Sequence, residues 1–169
     1  PSFADDFSDG NAAYDRGDYV TAMRLLRGVA EGVHDGAMNR VGYMYANGMG
    51  VPRDDVEAVR WYRMAAEKGN GFAQSNLGFM YDAGRGVPED DAEAVRWYRL
   101  AAEKGNASAQ GNLGVMYRHG YGVPQDDVEA VRWYRLAADQ GNANAQRNLG
   151  YSYQQGTGVA QDYTEALKW

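Results

Sequence analysis

The stretch "AQSNLGFMYDAGRGVPEDDAEAVRWYRLAAEKGN", residues 73–106, returns with few changes one period earlier and one period later in the chain. Trp61, Trp97, Trp133 and Trp169 are spaced by 36 residues without exception. Gly42, Gly78, Gly114 and Gly150 keep the same interval, as do Tyr45, Tyr81, Tyr117 and Tyr153. The segment "AVRWYR" stands at 58–63, 94–99 and 130–135. A fixed interval of this length marks a repeat architecture, in which each unit is one supersecondary element that cannot bury its apolar face alone.

Within the quoted unit, "AQSNLGFMYDAG" (73–84) and "DDAEAVRWYRLAAEKG" (90–105) each read as a helix stopped by Gly. The second opens with Asp90 and Glu93 at capping-box spacing. Ala94, Trp97 and Ala101 fall on one helical stripe and are expected to face inward. Each unit is therefore a helical hairpin, with first helices expected to begin near 37, 73 and 109. Helices this short are marginal alone, so stability must come from stacking hairpin on hairpin around a continuous core.

The opening segment is a variant. "DGNAAYDRGDYVTAMRLL" (9–26) aligns if Gly10 takes the place of Gly42 and Leu25 that of Trp61, with a shorter inter-helix loop turning at Gly17-Asp18. The chain thus reads as a single repeat domain, 1–169: a short hairpin at 3–36, repeats at 37–72, 73–108 and 109–144, and a partial repeat at 145–169. The last second helix stops at Trp169, where the earlier units continue, which is expected to leave apolar surface open to self-association.

These elements, Leu-Gly-x-x-Tyr, Gly-x-Gly-Val and Trp-Tyr-x-x-Ala-Ala over residues 37–169, resemble the Sel1-like repeat, a relative of the tetratricopeptide repeat. Residues 3–36 are more similar to a tetratricopeptide unit. The resemblance implies an all-α fold, a right-handed superhelical α/α solenoid of stacked hairpins, used as a non-catalytic scaffold or adaptor for protein partners. It also implies a bacterial source and favours a periplasmic or secreted location. Some members resembling the family are linked to cell-wall chemistry, but no S-x-x-K or G-x-S-x-G context occurs here, and no nucleophile, base and orienting group recur together. An enzyme is not expected.

Composition agrees with a folded binding module. The 169 residues can bury roughly 70% of their unfolded surface. With 17 basic against 23 acidic residues the net charge is -6, which opposes a phosphate backbone and argues against nucleic acid. The absence of Cys excludes a disulfide framework, and no apolar run is long enough for membrane insertion. The chain opens on Pro1 rather than Met, so an upstream segment is expected to have been removed.

Several motifs invite chemistry and yield to structural readings. Gly-x-Gly-Val occurs at 48, 84, 120 and 156, always between helices, without the strand of a dinucleotide fingerprint or the Gly-Lys-Ser/Thr of a phosphate loop. Its glycines are expected to supply positive φ at a helix stop. Of the residues between the glycines, Met49, Arg85, Tyr121 and Thr157, Arg85 is expected to extend the binding surface at the loop edge. The acidic clusters Asp54-Asp55-x-Glu57, Asp90-Asp91-x-Glu93 and Asp126-Asp127-x-Glu129 sit at helix starts, where carboxylates cap and complement the macrodipole. No metal site or cofactor is expected, and His34 and His119 are not repeat-equivalent. Arg63, Arg99 and Arg135 are expected to pair with Glu67, Glu103 and Asp139 four residues on. The Met column (Met44, Met80, Met116) and the Tyr column are expected to fill space between hairpins.

Asparagine marks the expected ligand face. Asn76, Asn112 and Asn148 precede the Leu-Gly pairs, and Arg40 replaces them once. An amide needs partners for two donors and an acceptor, so an exposed position is expected. In the tetratricopeptide repeats that the chain resembles, the matching Asn faces the concave groove and bonds a bound peptide's backbone. An Asn ladder spaced roughly 10 Å from helix to helix would match about three residues of extended peptide. The alternative is a helix-surface or inter-repeat hydrogen bond. Neighbouring positions vary between units as a selective surface should: Tyr43, Phe79 and Tyr151; Asp82 and Arg118; His119; Arg147. Arg40, Arg118 and Arg147 outweigh Asp82, which points to an acidic or carboxylate-ended peptide.

Overall fold

The computed structural model describes residues 3–169, so Pro1 and Ser2 of the expected domain lie outside the described residues. Ten helices and no strand occur among the described residues. They fall into two compact units, Pro1–Glu89 and Asp90–Trp169.

The first unit contains α1 (Phe3–Asp15), α2 (Tyr19–Glu31), α3 (Asp35–Asn47), α4 (Asp55–Glu67) and α5 (Gly71–Asp82). Each helix packs on the next, so hairpins stack in sequence order. The second unit contains α6 (Asp91–Glu103), α7 (Ala107–His119), α8 (Asp127–Asp139), α9 (Ala143–Gln155) and the single turn α10 (Tyr163–Ala166). Its helices also pack sequentially, and α7 additionally touches α9.

Capping sets the helix starts. Asp54 and Asp126 each accept two backbone N–H bonds at 3.0 Å from the first turns of α4 and α8. Asp90 accepts one from Glu93 at the start of α6, also at 3.0 Å. The first helices begin two residues before the expected 37, 73 and 109. The reason is a second set of caps: Asn70, Asn106 and Asn142 accept from the N–H of Ala73, Ala109 and Ala145 at 2.9 Å. His34 does the same for Ala37 through Nδ1 at 3.1 Å.

The core repeats with the period. Leu77, Met44 and Met80 in the first unit, and Leu113, Met116, Tyr134 and Leu149 in the second, are essentially inaccessible to solvent. Ser152 takes the fourth place in the Met column and satisfies its hydroxyl by donating to the Asn148 carbonyl at 2.9 Å. Trp61, Trp97 and Trp133 are buried, as the stripe on the second helix requires. The Leu-Gly glycine permits close helix approach: a Cβ on Gly114 would lie 2.6 Å from the Tyr134 ring. Burial pushes the Tyr134 phenol up to about 12.

The tyrosine column is half-buried and ties neighbouring hairpins together. Arg63 donates to the Tyr81 hydroxyl at 2.8 Å, Arg99 to Tyr117 at 2.8 Å and Arg135 to Tyr153 at 2.7 Å. These contacts replace the expected pairs with Glu67, Glu103 and Asp139, because a long guanidinium reaches across the hairpin junction to a less solvated acceptor. Among the described residues Arg27 alone makes the i, i+4 pair, with Glu31 at 3.1 Å.

The Gly-x-Gly-Val loop is a docking element. Gly86 has φ +70 and packs its Cα on the Asp55 carbonyl at the start of α4, leaving no room for a Cβ. Arg85 is not a surface probe. Its Nε and Nη2 grip both carboxylate oxygens of Asp55 at 3.2 and 2.6 Å, and Nη2 also reaches the Ala46 carbonyl at 3.1 Å. Arg85, joined by Arg53, holds the Asp55 carboxyl well below the usual carboxylate range. The expectation that Arg85 extends a binding surface is therefore corrected: its charge is consumed in fastening one repeat to the previous one.

Candidate functional site

With framework residues buried, the exposed variable side chains collect on the first helices. In the first unit, residues of α1, α3 and α5 line an open groove of about 650 Å³ that includes Arg40, Tyr43 and Asn76. Three of the expected residues thus meet in one place. Phe79 and Asp82 lie outside this lining; Phe79 is 44% exposed with the Arg85 guanidinium 5.8 Å from its ring centre.

The groove's electrostatics are simple. Among the described residues Arg40 is its one charged lining residue, and the guanidinium lies 4.5 Å from the centre of the Tyr14 ring. Burial raises the Tyr14 phenol above its ordinary value, with Tyr43 adding to the rise and Arg40 opposing it. Asn76 is half-buried rather than exposed, and its Nδ2 donates to Asn39 Oδ1 at 3.0 Å. The inter-repeat hydrogen bond is therefore real at this position. That bond uses one donor of Asn76 and the acceptor of Asn39, and the amide pair retains an acceptor and further donors by its chemistry. Below it, Asn70 donates to Asp35 at 2.9 Å and lowers the Asp35 carboxyl from its ordinary value.

In the second unit, α7 and α9 frame a smaller groove of about 310 Å³ lined by Asn112, Asn148 and Arg147 together with Ser108, Asn142 and Asn144. Arg147 is again the one charged lining residue among those described. Asn112 and Asn148 are half-buried, as Asn76 is, while Arg147 is exposed. Ser108, Gly111 and Asn144 add small and amide groups to the same lining, and α7 and α9 touch one another. Tyr151 belongs to a third depression, about 590 Å³, that it shares with Arg147, Tyr163, Leu167 and Trp169. Arg118 lies over the Tyr151 ring at 5.2 Å and reaches Ser152 Oγ at 3.4 Å. His119 sits apart, stacked on Tyr121 with centroids 5.3 Å apart.

Sequence reasoning missed Phe7, Tyr14 and Phe72, which complete the first groove. A signal existed for Phe7. Aligning Gly10 with Gly42 puts Phe7 in the same column as Asn39, Ser75, Gly111 and Arg147, a column that varies in every unit.

Four consecutive segments, 36–70, 71–106, 107–142 and 143–169, match the Sel1 repeat. The chain belongs to the Sel1 repeat family. Solved Sel1 repeat proteins superpose on it closely. A Sel1 repeat protein from Oxalobacter formigenes shares 37% identity over 97% of this chain, with a TM-score of 0.90. c5321, a protective antigen of uropathogenic Escherichia coli displaying an SLR fold, shares 42% identity over 99% of the chain, with a TM-score of 0.93. A Sel1 repeat protein from Klebsiella pneumoniae has the same fold at 21% identity over 99% of this chain and 83% of its own, with a TM-score of 0.65. The present chain spans 65% of the first of these proteins and 37% of the second. No curated protein matches the sequence. The Sel1 repeats thus account for the residues from 36 onward, and α1 and α2 supply a preceding hairpin whose Phe7 and Tyr14 join the groove of the first matched repeat.

Proposed function

We propose that this chain is a non-catalytic adaptor that binds an extended segment of a protein partner along the exposed face of its first helices. Sel1 repeat proteins are generally protein-interaction scaffolds, which supports the class of function. The observation that carries the finer reading is the pair of grooves, each lined, among the described residues, by one arginine and no carboxylate within an acidic protein. An acidic or carboxylate-ended segment complements them, and half-buried amides beside each arginine suit backbone hydrogen bonding. Binding on this face requires no cofactor.

Peptides selected from a random library on the full chain provide the test. Asn112→Ala combined with Arg147→Ala removes an amide and a charge-assisted donor, and hydrogen bonds to charged groups contribute about 1.5–3 kcal/mol. For peptides held by the second groove the double variant should lose more than tenfold in affinity with unchanged helical circular dichroism. Unaltered affinity for every selected peptide would remove the groove reading.

A further inference from the structure

The groove of the first unit differs in kind from that of the second. Phe7, Tyr14, Tyr43 and Phe72 contribute aromatic rings to its lining, whereas none of the described residues lining the α7/α9 groove is aromatic. Phe72 is 69% exposed and Tyr43 39% exposed, on helices whose remaining large apolar residues are mostly buried. Exposed rings of this size gain most when a second large apolar surface covers them. Beside them, the Arg40 guanidinium lies 4.5 Å from the Tyr14 ring centre, a position that limits the freedom of its planar fork. Such a fork matches a carboxylate through two parallel N–H bonds, and among the described residues no acidic side chain lines the groove to compete. At about 650 Å³ the groove falls within the range of cavities that enclose a ligand of several residues' side chains.

We infer that this groove reads a bulky apolar or aromatic side chain set next to a carboxylate on the bound segment. Arg40 takes the carboxylate, and Phe72 and Tyr43 cover the side chain. This rests on the proposed function and adds to it a sequence preference located in one unit.

The test is selection of a random peptide library, free and carboxyl-terminal, on the full chain and on two variants, Arg40→Glu and Phe72→Ala, with circular dichroism confirming that each folds. The wild-type chain should enrich peptides in which an aromatic or large aliphatic residue adjoins Asp, Glu or a terminal carboxylate. Arg40→Glu should exchange that acidic neighbour for Lys or Arg, and Phe72→Ala should weaken the wild-type peptides by about tenfold, as loss of an aromatic anchor does. Arg40→Gln serves as the charge-removing variant if the reversal disturbs folding, and should weaken the same peptides without selecting basic ones. Peptides enriched without the paired motif, or motif peptides indifferent to both substitutions, would overturn the inference while leaving segment binding intact. Failure to enrich any peptide would remove the proposed function itself.

Discussion

Replacing Gly86 by Ala tests the role of the Gly-x-Gly-Val loop as the joint between repeats. Two costs combine there. Gly86 has φ +70, and an L-residue held in that region loses about 1–2 kcal/mol. The added Cβ would also fall 2.5 Å from the carbonyl carbon of Asp55 and 2.9 Å from the backbone nitrogen of Val56. Those are main-chain atoms of a capped helix start, which cannot rotate aside as a side chain can. Overpacking of this kind costs about 1–3 kcal/mol. The sum, about 2–5 kcal/mol, is a large share of a typical stability of about 5–15 kcal/mol. Gly17→Ala is the control within the same unit: its φ is +81, but nothing lies within 4 Å of the added Cβ. It should cost only the backbone share. At about 2–4 °C per kcal/mol for a chain of this size, thermal unfolding followed by circular dichroism should place Gly86→Ala about 2–12 °C below Gly17→Ala. Equal midpoints for the two variants would refute the claim that the loop is docked on α4.

The same joint has an electrostatic half. Arg85→Ala should destabilise by about 1.5–2 kcal/mol, the lower part of the range for bonds to a charged group because the pair is partly solvated; urea unfolding at neutral pH measures it. Asp55 has its folded affinity for protons lowered, so its stabilisation is present above about pH 4 and fades as pH falls through the lower folded value. Arg85→Ala should therefore flatten the fall in urea midpoint below about pH 4, and a wild-type slope in the variant would contradict the pairing. Tyr134→Phe bears on the core instead: the hydroxyl is buried with no hydrogen-bond partner among the described residues. Its removal should be neutral or stabilising by up to about 1 kcal/mol, whereas a loss above that size by the same assay would reveal a partner.

Much of the scaffold is legible in the sequence because the residues that build it have local causes. The 36-residue period, the turn glycines and the Asp caps each act within a few residues of their own position, and all three stand where the spacing places them. The Asn caps are less legible. In "EKGN" the Gly ends one helix and Asn starts the next, and the same Asn type also precedes Leu-Gly, where it does something different. The partners of long charged side chains are harder still. Arg63 has Glu67 within reach on its own helix, yet bonds Tyr81 on the following one, and Arg85 turns back to Asp55 rather than outward. Both choices depend on distances across a hairpin junction, which no local pattern encodes. The groove is half visible: Arg40 and Asn76 share one repeat column and Tyr43 lies a helical turn from it, while Phe7 and Tyr14 come from the variant hairpin, which joins the columns only when Gly10 is matched to Gly42.

Hydrogen–deuterium exchange of the full chain, with and without a library-selected peptide, tests the central claim most directly. Binding along the first helices predicts slowed exchange in α3 and α5, in α7 and α9, or in both pairs, with the second helices α4, α6 and α8 unchanged. Protection confined to the second helices, or to residues 163–169, would contradict it.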